Sequence, residues 1–176
     1  MSGLKRNLRM KTKMPAIKST LLNIIAFLEI AGGGWMLGIM LGIPGIGEKD
    51  PQVNLHPNLT LVVEGFFIIL AAFSIWAGFL LWKRRSLGFS LSAALQFLQI
   101  PYIYLGSLTY TFQASLLSFI ISITSDSRIS FTAGAGPKWF FSEGGESAGT
   151  HAIGINIVAI IFLVLILSMR RLVKNH

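Results

Sequence analysis

Residues 87–124 read LGFSLSAALQFLQIPYIYLGSLTYTFQASLLSFIISIT, and apolar character persists through the whole segment. Read as helix, 87–109 is long enough to cross a ~30 Å hydrocarbon core. Pro101 removes one backbone donor there and is expected to kink the helix. After Tyr110 the pattern changes. Leu117, Phe119, Ile121 and Ile123 share one side at a period of two, with Ser118, Ser122 and Thr124 on the other, which is the period of a strand. Ser125-Asp126-Ser127-Arg128 then supplies a polar turn, and Ile129-Ser130-Phe131-Thr132 alternates again. The segment therefore predicts a membrane helix over 87–109 followed by a β-hairpin outside the membrane. A fifth helix over 112–124 is the rival. It is too short to span, and a full crossing would put the basic C-terminus outside.

Three further apolar runs, roughly 20–43, 60–82 and 152–169, also have about the length of membrane-crossing helices. Lys5, Arg6, Arg9, Lys11, Lys13 and Lys18 precede the first run. Lys83-Arg84-Arg85 follows the second, and Arg170, Arg171 and Lys174 follow the fourth. The gaps 44–59 and 110–151 are poor in Lys and Arg. Basic residues stay on the cytoplasmic side, so both termini are expected in the cytoplasm and both of those gaps outside. The chain divides accordingly into a basic segment 1–19, helices 1–3 over 20–109, an external hairpin and Gly-rich loop over 110–151, and helix 4 with its basic tail over 152–176. The expected fold class is all-α integral membrane: a four-transmembrane-helix bundle with an extramembrane β-hairpin between helices 3 and 4. Its expected location is the cytoplasmic (inner) membrane, as a multi-pass protein.

Composition fits that class: 53% of residues are hydrophobic and 12% charged, where soluble domains carry about 25% charged residues. The net charge of +8 falls at the edges of apolar runs, which points to lipid headgroups and not to nucleic acid. There is no cysteine, which excludes disulfides, thiolate metal sites, thiol catalysis and lipoprotein acylation. The first apolar run exceeds a signal-peptide core and no A-x-A site follows it, so it reads as a retained anchor. His56 and His151 with Glu48, Asp50, Glu143 and Glu146 lack metal-ligand spacing. No nucleophile elbow, phosphate loop or dinucleotide fingerprint occurs. No metal, cofactor or enzymatic activity is expected.

An ionisable side chain at membrane depth is costly and marks a candidate site. At ~1.5 Å per residue, Glu29 in the first run and Gln96 and Gln99 in the third fall level with one another near the midplane, with Ser92 one turn below. Glu64, Asn156 and Tyr102 reach a comparable outer level. Two polar layers follow: Glu29 with Gln96 and Gln99, and Glu64 with Asn156 and Tyr102. The structural alternative is that these groups only glue helices together. Gly34, Gly38 and Gly42 form a G-x-x-x-G-x-x-x-G stripe that would let another helix approach closely, from the same chain or from a second copy as a homo-oligomer through helix 1. The expected function is a non-enzymatic interaction or scaffold module that presents the hairpin and loop to a protein partner on the external side. The alternative is a small proton- or cation-coupled transporter or oligomeric channel using the Glu29/Gln96/Gln99 layer.

Overall fold

The computed structural model describes residues 16–44, 57–105, 108–113, 116–136, 138–143 and 151–174. The basic residues before Pro15, the acidic gap 45–56 and the glycines of 144–150 lie outside them. In chain order the elements are α1 (Ala16–Met40), α2 (Pro57–Trp82), α3 (Ser86–Leu98), β1 (Pro101–Leu105), β2 (Leu108–Gln113), β3 (Leu117–Thr124), β4 (Ile129–Ala135), β5 (Lys138–Glu143), β6 (His151–Asn156) and α4 (Ile157–Lys174). The six strands form one antiparallel sheet in the order β4-β3-β6-β1-β2-β5.

This architecture corrects the expected all-α fold. The described residues form four helices plus a six-stranded sheet, not a four-helix multi-pass bundle. Among the described residues, only Ala16–Met40 and Leu61–Trp82 are helices long and apolar enough to cross a membrane. The third expected span stops at Leu98, because Pro101 biases Ile100 away from helical backbone and denies the next turn its donor. The β-branched and aromatic residues that follow then pair as β1. The fourth expected span begins as a strand. In His151-Ala-Ile-Gly-Ile-Asn156, Ala152, Gly154 and Asn156 are buried while His151, Ile153 and Ile155 are exposed, and helix starts only at Ile157. The expected loop over 133–150 is also in part sheet, since β4 reaches Ala135 and β5 covers Lys138–Glu143.

The hairpin itself forms as β3 and β4, paired from Leu117↔Ala135 to Ile123↔Ile129. Its 125–128 turn closes with Thr124 N–H donating to the Arg128 carbonyl at 3.0 Å. Ser127 takes the left-handed backbone at φ 61° that such loops require.

Two cores hold the helices. Leu22, Ile25 and Ala26 of α1 pack with Leu81 of α2, Phe89 of α3 and Ile166 and Met169 of α4. The end of α2, the start of α3 and the end of α4 therefore lie beside the first half of α1. Arg84 donates to the Ser19 hydroxyl there, so the basic cluster of residues 83–85 and Arg170–Arg171 gather at one end of the molecule. Toward the other end, Met36 and Met40 of α1, Phe67 and Ala71 of α2 and Leu95 of α3 enclose Phe112 of β2.

Within the chain, Gly34 and Gly42 of the glycine stripe meet no neighbouring helix. Gly34 is exposed, and a Cβ on it would meet nothing within 4 Å. Gly42 ends α1: at φ 66° its N–H bonds Ile39 O, and Ile43 N–H bonds Gly38 O, the double closure of a left-handed helix cap. Gly38 is buried and supplies that second carbonyl. The close approach of α1 and α2 is made instead by Gly33, whose Cβ would lie 2.8 Å from Ala71 O, and by Gly78, whose Cβ would lie 2.8 Å from Ala26 O. Gly33→Ala should therefore lower stability by about 1–3 kcal/mol through overpacking. Gly34→Ala should be neutral or stabilising by up to about 1 kcal/mol through helix propensity. Thermal unfolding of the two variants in detergent checks this, and equal effects would contradict the packing described.

Candidate functional site

The helix contact just described brings a carboxylate into the centre of the bundle. On α1, Ala26, Glu29 and Gly33 follow one face, and on α2, Ala71, Ser74 and Gly78 do the same. The missing side chains at Gly33 and Gly78 let the backbones close until Ser74 Oγ donates to the Glu29 backbone carbonyl at 3.1 Å. Glu29 then points its side chain at α3. Ser92 Oγ donates to Oε2 at 2.6 Å, and Gln96 Nε2 donates to Oε1 at 3.0 Å. Ser92 and Gln96 are four apart and share a helix face. Glu29, Ser74, Ser92 and Gln96 are all fully buried. The cluster thus ties three helices together through neutral donors around one carboxyl group. Gln96 Oε1 remains buried with no hydrogen-bond partner.

Of the expected midplane layer, Glu29 and Gln96 meet directly. Gln99 does not join the carboxylate, whose side-chain bonds come from Ser92 and Gln96. It caps the C-terminus of α3, buried, with its backbone N–H directed at the carbonyls of Leu95 and Gln96 at 3.2 and 3.1 Å. The expected outer layer sorts differently. Asn156 is the N-cap of α4: its Oδ1 accepts from Val158 N–H at 3.1 Å and Ala159 N–H at 3.5 Å, and also from Phe119 N–H of β3 at 3.4 Å. Tyr102 lies opposite Gly154 in the β1–β6 ladder, on the same sheet face as Asn156 and diagonal to it. Glu64 is half-buried on α2, beside Val63, which packs against the core containing Phe112.

Sequence reasoning missed Ser74, Gly33 and Gly78. The available signal was the small-residue spacing Ala71, Ser74, Gly78, which on a membrane-type helix marks a contact face. Among the described residues, no three His, Cys, Asp or Glu side chains gather as a metal site.

Comparison with known protein families, with characterised proteins and with solved structures finds no match to this chain.

Glu29→Gln keeps a donor and an acceptor facing Ser92 and Gln96 and should change stability by less than about 1 kcal/mol. Glu29→Leu strips the acceptors from a buried hydroxyl and a buried amide and should cost about 2–4 kcal/mol. Denaturation in detergent distinguishes them. A Glu29→Leu variant as stable as the native chain would show that the cluster does not hold α3 to α1.

Proposed function

We propose that this protein is a membrane-anchored assembly module with no catalytic role. In this reading α1 and α2 form a helical hairpin in the cytoplasmic membrane, with both termini and the basic ends of the helices on the cytoplasmic side. The sheet carries the interaction surface, and its outer strand β4 pairs with a strand of a partner protein.

The observation that carries the proposal is the β4 edge. Among the described residues, β4 closes one side of the sheet, pairs only with β3, and is largely exposed along its length. Edge strands in water are normally blunted by Lys, Pro or inward charges. Ile129–Ala135 reads ISFTAGA and contains none of these. An unblocked edge is a template for strand addition, in which main-chain hydrogen bonds supply affinity.

The transport alternative draws less support. A carboxylate that trades a proton or cation with water needs an aqueous face, whereas Glu29 has no exposed surface and both of its oxygens are engaged by α3.

A photo-crosslinking amino acid at Thr132 on β4, introduced into the full chain in its own membranes, tests the proposal. The expected result is one discrete protein adduct whose crosslinked peptide maps to an extended segment of a partner, with no such adduct from the same group at Ile69 on α2. Thr132 giving no protein adduct would overturn it.

A further inference from the structure

The sheet has its polarity inverted. Strand register puts Ser118, Ser122, Ser130, Thr132 and Asn156 on one face, and Phe119, Ile123, Phe131, Ile153 and Ile155 on the other. It is the polar face that is covered along β3 and β6, where Ser118 is 6% exposed, Ser122 5% and Asn156 1%, with Ile120 buried among them and Thr132 exposed at the β4 edge. The hydroxyls of Ser122 and Ser130 bond each other at 2.7 Å across the strands. On β3, β4 and β6 the apolar face is open, with Phe131 65% exposed, Ile153 62% and Ile123 58%, whereas at β2 the same face meets the helices through the buried Phe112. A soluble sheet does the reverse. Apolar outside and polar inside is the pattern of β-structure that meets lipid.

Depth gives the same answer. Phe112 of β2 stacks against Phe67 of α2 with ring centroids 5.9 Å apart. Phe67 lies six residues inside the apolar segment that starts at Leu61, or ~9 Å into it. A strand of the sheet thus sits alongside the outer half of α2, not above it. α1 and α2 are ~37–39 Å long. α3 alone reaches only ~20 Å, but α3 with β1 reaches ~36 Å, so the far end of β1 arrives level with the outer ends of the two long helices.

Charge marks the boundary. β1, β2, β3, β4 and β6 contain no Asp, Glu, Lys or Arg, and β5 carries Lys138 and Glu143 at its two ends. The charged pair Asp126–Arg128 sits in the turn at the far end of the sheet, next to His151, whose carbonyl accepts from Ser125 N–H. On the way back, the exposed Ile153 and Ile155 of β6 lead directly into the exposed Ile161, Val164 and Leu167 of α4.

Resting on the membrane-anchor reading above, we infer that the apolar face of β3, β4 and β6 is covered by acyl chains of the outer leaflet. Among the described residues, the 125–128 turn, the start of β6 and the Glu143 end of β5 reach water on that side. The sheet is then a lipid-embedded wall completing the outer half of a layer whose inner half is helical. Hydrocarbon offers no partner to an open strand edge, so this placement also supplies the reason for β4 to take up a partner strand.

The chain contains no cysteine, so single labels can be placed without further substitution. Ile123→Cys, Phe131→Cys and Ile153→Cys report on the apolar face, Arg128→Cys on the turn and Ile69→Cys on α2. All five positions are exposed, and an unchanged melting transition of each labelled chain confirms its fold. Each nitroxide-labelled full chain is reconstituted in phosphatidylcholine vesicles and probed with oxygen and with a water-soluble nickel chelate. The three face sites should match Ile69, with an oxygen-to-nickel accessibility ratio several-fold above that of Arg128. Face sites as open to nickel as Arg128 would place the sheet in water and overturn the inference while leaving the anchor intact. Face sites closed to both reagents, with spin–spin broadening between labels, would also overturn it, by showing a second copy on that face. If Ile69 is itself open to nickel, the anchor reading falls and this inference falls with it.

Discussion

Asn156 N–H donates to the Ile100 carbonyl at 2.8 Å, at the level where both halves of the molecule change from one backbone form to the other. Below it, α3 and α4 run side by side and satisfy their own backbone groups. Above it, the same two chain segments continue as β1 and β6 and satisfy each other. Each side of that junction needs the other. Ile100 must leave the helix because Pro101 follows it, and Asn156 must begin one because its side chain caps the first turn of α4. Through Phe119 N–H, the same Asn156 amide oxygen also fixes β3 to the junction. Moving either switch by a residue would turn the alternating faces of the central strands over.

The bundle below the junction depends on a different economy. α1 and α2 meet through backbone, which leaves room for one polar group per helix at the contact. Ser74 uses it to bond a main-chain carbonyl, while Glu29 is turned toward α3. The carboxyl group thereby sets the rotation of α3 about its own axis, since Ser92 and Gln96 must both face it.

Much of this was legible in the sequence where a residue type had only one physical use. The alternation over 117–124 and 129–132 reads as a hairpin because no helix keeps its apolar residues at a period of two. The level shared by Glu29 and Gln96 followed from a helical rise of ~1.5 Å per residue, provided both segments were helical to that depth, and they are. Past Gln99 that ruler no longer applies. PYIYL and HAIGIN are apolar runs without charge, and such runs look alike whether they end as strand or as helix. Pairing between segments about fifty positions apart chose strand. Pro101 was weighed as a kink, its common role inside a long helix, when it marks the helix end. Gly34, Gly38 and Gly42 have the correct spacing for a contact face, but Gly34 faces outward, and the positive φ at Gly42 belongs to a cap. Periodicity cannot tell which of several small-residue stripes will meet a neighbour.

The strand order has a consequence for how the chain is made. β6 occupies the middle of the sheet, between β3 and β1, yet it is the last strand to be synthesised. Until it emerges, β1-β2-β5 and β3-β4 are two separate pieces with no ladder between them, and the polar inner faces of both stay uncovered. Insertion of β6 joins them in one step and at once starts α4, which packs back onto α3. Non-local pairing of this kind is slow to form, so the six strands become one sheet only once β6 is made, and a chain cut before His151 would leave hairpins where there had been a wall.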